Sequence, residues 1–145
     1  MTTRTARTAW NGPLMTGSGQ VELTSSKAGT FEVDFPRRAS EDAGGVTSPE
    51  ELVAAAHSAC FAMTLTNLIA VAGGTPEGLE VTAVVHLGVD PAGGHKLTRI
   101  ALTVVGEVEG MDEAAFVAAA QTAKAGCPIS KALAAVEMTL DASLA

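Results

Sequence analysis

Cys60 and Cys127, 67 positions apart, are the residues of this chain best suited to chemistry. A thiolate is a nucleophile and a metal ligand, whereas a buried thiol is a small hydrophobe that fills core space. Cys60 is preceded by His57 at i−3 and followed by Thr64 at i+4, spacings that align all three on one helix face. At that position His57 either assists a thiolate or is simply hydrogen-bonded inside the core. Cys127 stands directly before Pro128, at the mouth of a helical turn, where unpaired N–H groups and the positive dipole end lower a thiol pKa. By position alone, Cys127 is the more acidic thiol. A mid-helix Cys60 needs a cation brought to it, and Arg37 with Arg38 is the only clustered pair upstream. That Arg-Arg pair equally reads as a solvated turn. His57, Cys60 and Cys127 also make a conceivable zinc set. The chain has no CxxC pair and no HExxH, and His86 and His95 fall in a predicted hairpin, so no metal is expected.

The elements that must carry these residues follow from local signals. Ser48-Pro49-Glu50-Glu51 is a capping box with Pro at N1 and Glu at N3. It predicts a helix from Pro49 to about Ala72, stopped by Gly73-Gly74 and roughly 36 Å long. Its residues are apolar or small on nearly every face, with Ala54, Ala55, Ala56, Ala59 and Ala62 clustered. A helix apolar all round must be covered all round. One small sheet and two further helical segments do not suffice, so the missing cover is expected from a second copy of the chain. The segment from Val53 to Ala72 also has about the length of a membrane span. His57, Ser58, Thr64, Thr66 and Asn67 within it favour a buried helix instead.

Upstream of this helix the chain reads as strands at Thr5–Trp10, Gln20–Ser25 and Phe31–Phe35, followed by a polar loop from Pro36 to Val46. Downstream, Leu79–Val89 and His95–Val108 form a hairpin through Asp90–Gly94. Asp112 then caps a helix ending at Gly126, Cys127-Pro128 opens a short helical turn through Leu133, and Val136, Met138 and Leu140 finish as a strand. The order β-β-β-α-β-β-α-α-β is α+β with mainly antiparallel pairing, in one domain over residues 1–145.

Nine Lys+Arg against sixteen Asp+Glu leave a net charge of −7, which argues against nucleic acid and anionic membrane as partners. Aromatic residues are 3%, too few for base-stacking platforms. The first ten residues lack an apolar h-region, and a cytoplasmic location is expected. In a reducing cytoplasm a paired set of thiols is core filler or redox chemistry rather than a structural disulfide.

The blocks TSPEELVAAAHSACFAMTL (47–65) and AKAGCPISKAL (123–133), each holding one cysteine, are highly specific. With them the chain resembles the OsmC/Ohr family of thiol peroxidases over essentially its whole length, and most closely the OsmC branch, to which the histidine of AAAHSAC also points. The resemblance implies a tightly intertwined homodimer that reduces organic hydroperoxides, in oxidative or osmotic stress defence, without metal, haem or flavin. It maps the peroxidatic cysteine to Cys60, the resolving cysteine to Cys127 and the family glutamate to Glu50. The family arginine maps to Arg38, with Arg37 as the alternative. This reverses the ranking of the thiols by position, because Cys60 becomes the nucleophile only if an arginine stabilises its thiolate. Arg37, His57, Phe35, Phe61, Met63 and Ile129 are the expected substrate-binding residues. A dithiol, of lipoyl type in this family, is the expected reductant. Ten residues of helix separate Glu50 from Cys60 by about 15 Å, so Glu50 is expected to serve the Cys60 of the other subunit. Two readings from other classes stand beside this one: a non-catalytic dimer holding an apolar ligand, and the His/Cys2 zinc site.

Overall fold

Alanine-rich and β-branched stretches alternate along this chain, and the computed structural model, which describes all 145 residues, turns them into helices and strands in an α+β arrangement. Two compact units form, Met1–Pro49 and Glu50–Ala145.

In the first unit, β1 (Arg7–Asn11), β2 (Ser18–Glu22) and β3 (Thr30–Val33) pair antiparallel in the order β1-β2-β3. The polar stretch expected as a plain loop after β3 contains one helical turn, α1 (Phe35–Arg38). Asp34 caps it, its carboxylate accepting the Arg37 N–H at 2.6 Å, and Pro36 supplies a fixed φ in the first turn. One turn carries no periodic apolar pattern, which is why the sequence reads there as a loop. The chain then returns to β3, where the Thr47 N–H donates to the Glu32 carbonyl at 3.1 Å.

The second unit is built around α2 (Pro49–Val71), which begins at the predicted proline. Its end is a Schellman motif: Gly74 N–H donates to the Ile69 carbonyl and Gly73 N–H to that of Ala70. Gly73 sits at φ +90, a left-handed conformation that glycine adopts without steric cost. His57, Phe61, Leu65 and Ile69 recur every four residues and are the buried stripe of this helix. Each of the three apolar members contributes on the order of 1.5–3 kcal/mol by leaving water.

Behind that stripe lies a three-stranded sheet, β4 (Thr75–Val89), β5 (His95–Glu109) and β6 (Glu137–Leu144), with β5 in the centre. β4 and β5 form the predicted hairpin, while β6 runs parallel to β5. Ile100, Leu102 and Val104 alternate along β5 and face the helices. Over them pack α3 (Glu113–Gly126), through Phe116, Ala120 and Ala123, and α4 (Pro128–Ala132). Asp112 caps α3 as expected, accepting the Ala115 N–H at 2.8 Å. Gly106 lies beneath the Phe116 ring, and a Cβ there would stand 2.6 Å from ring carbons Cε2 and Cζ. Phe61, Leu65, Ile69, the β5 residues, Phe116 and Cys127 form one continuous core.

Candidate active site

α2 carries Cys60 near its midpoint, and Cys127 closes α3 and heads α4. Packing these helices on one sheet brings the two thiols together, close enough for each to shift the other's ionisation. Both are free, Cys60 half-buried and Cys127 wholly buried. Their surroundings differ in sign. Burial pushes the Cys60 thiol up, the neighbouring Cys127 adds to that, and the Ile129 N–H and Thr64 hydroxyl only partly offset it. Burial also opposes ionisation of Cys127, but the Ser130 N–H, the Cys60 thiol, the Ile129 N–H and the Ser130 hydroxyl outweigh it and hold that thiol below its ordinary value. Cys127 makes no side-chain cap hydrogen bond to α4. The Ile129 N–H serves both sulfurs. The α4 donors thus favour ionisation of Cys127, while burial disfavours that of Cys60.

His57 lies one turn before Cys60 and is fully buried. Its Nε2 is 2.8 Å from Ser130 Oγ and its Nδ1 has no partner. Burial lowers the imidazole pKa, so the ring is neutral at pH 7. His57, Cys60 and Cys127 do not converge as a metal-ligand triad. Phe61 is fully buried in the same core as Cys127, and Ile129 is half-buried at the second position of α4. Met63, by contrast, is 68% exposed. Glu50 sits in the first turn of α2, and the helix runs unbroken to Cys60 and beyond, which keeps the two about 15 Å apart within one chain. Phe35, Arg37 and Arg38 lie on α1 of the first unit. There Arg37 is exposed, its guanidinium folded over Gly44, while Phe35 and Arg38 are half-buried.

Two contributors escape a reading of side-chain motifs: the Ile129 backbone N–H and the Ser130 hydroxyl. The available signal is positional. With Cys127 at N-cap, residues 129 and 130 are N2 and N3, whose N–H groups face an N-cap side chain.

The chain is similar to known proteins over most of its length. Residues 42–141 match the family described as OsmC-like protein. The chain is 41% identical to Peroxiredoxin OsmC of Escherichia coli (strain K12) over 135 residues, covering 93% of this chain and 92% of that protein. Among solved structures, the organic hydroperoxide resistance protein OsmC of Legionella pneumophila superposes with a TM-score of 0.76 at 28% identity, covering 96% of each chain. The organic hydroperoxide resistance protein OhrB of Bacillus subtilis gives 0.74 at 26% identity, covering 96% of this chain and 98% of that one. With its paired cysteine blocks inside a match that spans most of its length, this chain belongs to the OsmC-like family.

Proposed function

We propose that this chain is a thiol-dependent peroxidase that reduces organic hydroperoxides to alcohols in stress defence. The observation that carries the reading is the meeting of two free thiols, 67 positions apart, near one shared N–H donor, that of Ile129. The 41% identity to a peroxiredoxin supports the same chemistry.

In the proposed cycle Arg38, held by Glu50, supplies the cation that Cys60 needs, and Arg37 is the alternative. The Cys60 thiolate attacks the O–O bond, the alkoxide leaves and takes up a proton as alcohol, and Cys60 becomes a sulfenic acid. Cys127 then condenses with it, releasing water and forming a disulfide, which a dithiol reductant of lipoyl type reopens by exchange. The cycle calls on no metal or organic cofactor. Phe35, Met63 and Ile129 are assigned to the organic tail of the substrate, with the buried Phe61 and His57 supporting the site from the core.

We further assign the working form as a homodimer in which residues 1–145 act as one domain and Glu50 serves the partner's Cys60. The burial of α2 along a single stripe, although it is apolar on its other faces too, supports a second copy as its cover. The same helix is long and apolar enough by composition to cross a membrane. We read it as a core helix of a cytoplasmic protein, and the net charge of −7 speaks against anionic-membrane and nucleic-acid partners.

Thiol titration before and after one equivalent of cumene hydroperoxide tests the proposal. The expected result is loss of two thiols, their return on dithiol treatment, and slower consumption of hydrogen peroxide than of the organic substrate. Unchanged thiols would overturn it in favour of a non-catalytic dimer that holds an apolar ligand.

A further inference from the structure

The contact between His57 and Ser130 links a buried, neutral titratable ring to the helix headed by Cys127. Ser130 is 6% exposed and occupies the third position of α4, three residues after Cys127, where an N3 side chain can reach back to the N-cap residue. A hydroxyl has one proton to donate and two lone pairs that accept. A neutral imidazole donates from one nitrogen and accepts at the other, so the contact has two possible wirings. With the proton on Nδ1, a buried N–H would be left orphaned, the rarer and costlier defect, and Ser130 would have to give its only proton to the ring. With the proton on Nε2, the orphan is a bare lone pair, and the Ser130 proton is free to face the sulfur.

We propose that His57, as its Nε2–H tautomer, fixes the Ser130 hydroxyl so that it donates to Cys127 Sγ, making both residues positioning residues for disulfide closure. The inference rests on the peroxidase reading above. In the closure step the Cys127 thiolate attacks the sulfur of the Cys60 sulfenic acid. The S–S bond forms, the S–O bond breaks, and the departing hydroxide takes up a proton as water. That proton equals the one Cys127 lost on ionising, so no further oxidant or acid is needed. His57 orients the hydroxyl rather than receiving the proton, because burial disfavours the imidazolium.

The experiment separates the two chemical steps by rapid-quench kinetics with cumene hydroperoxide, trapping sulfenic acid first and counting disulfide second. Ser130→Ala should slow disulfide closure by about tenfold or more, the scale of one hydrogen bond to a charged group, and leave sulfenic acid formation unchanged. Ser130→Thr should keep closure near the wild-type rate. His57→Leu should slow closure, and His57→Gln, which retains an N–H donor, should restore part of it. On the wild-type protein, 15N NMR should find His57 protonated at Nε2. That measurement decides the wiring even if a variant fails to fold, and protonation at Nδ1 would overturn the inference. So would wild-type closure in folded Ser130→Ala. A wild-type protein that forms no Cys60–Cys127 disulfide would instead overturn the peroxidase reading beneath it.

Discussion

Cys60 and Cys127 occupy opposite kinds of place on a helix, and the contrast explains why two thiols of one core are not interchangeable. Cys60 sits mid-helix, where its own backbone amides are already engaged, so burial and a neighbouring sulfur dominate. Cys127 stands at a helix head, where amides without helical partners face it. Left to these groups, the half-buried Cys60 is held in its thiol form while the α4 donors favour the thiolate of Cys127. A peroxidase working through Cys60 therefore has to import charge. The import must also be removable from the comparison, because Cys127 already has what it needs from α4.

The largest expected effect comes from deleting either sulfur. Cys60→Ser should abolish peroxide consumption, whereas Cys127→Ser should still form one sulfenic acid and then stall or over-oxidise. Mass spectrometry after peroxide treatment reads the outcome, and a sulfenic acid on Cys127 in the Cys60→Ser protein would reverse the two roles. Next in size is the imported charge. Arg38→Ala should slow Cys60 oxidation by about a hundredfold, the scale of losing one preorganised partner of a developing charge. The deficit should shrink only as pH rises beyond the ordinary thiol range, because burial and Cys127 hold the Cys60 pKa up once the arginine is gone. Lysine should rescue poorly, because it lacks the planar fork that holds a carboxylate while facing a sulfur. Damage from Arg37→Ala with a silent Arg38→Ala would shift the assignment by one residue.

A smaller, twofold effect addresses Glu50. A mixed dimer of one Glu50→Ala and one Cys60→Ser subunit should keep about half the wild-type activity if the sites are independent and Glu50 acts across the interface. Activity as low as that of either parent would return Glu50 to its own chain, against the unbroken α2. The smallest effect concerns stability. The His57 pKa is lowered in the folded protein, so the unfolded chain binds more protons below its ordinary value of 6.5. Stability should be full above that pH and fall on acidification below it. In thermal melts between pH 7 and 5, folded His57→Gln should show a flatter acid limb than wild type.

Local chemistry made much of this molecule legible in advance. The proline at position 49, the paired glycines at 73 and 74, the Asp112 cap and the Asp90–Gly94 turn each act within a few residues, so a reading of neighbours finds them. The direction of β6 was not legible, because its alternating pattern marks a strand but says nothing of the sense in which β5 receives it. Nor was α1, whose single turn depends on one aspartate. At the site, no spacing rule joins residues 60 and 127, or 57 and 130. The resemblance, and before it a conceivable zinc set, suggested the first pair, and nothing suggested the second. Such contacts are products of packing two helices on one sheet, and they exist only after the sheet does.

Gly106 gives that dependence a mechanical form. Phe116 rests where a side chain on β5 would otherwise stand, and eleven residues further along α3, about 16 Å away, comes Cys127. Phe116 is thus a fulcrum and the sulfur the far end of a lever. A tilt of a few degrees at the ring would displace the thiol by about 1 Å, while a disulfide tolerates almost no error in a bond of about 2.05 Å. The distance over which this pair of thiols closes is gauged, at long range, by a methyl group that β5 does not carry.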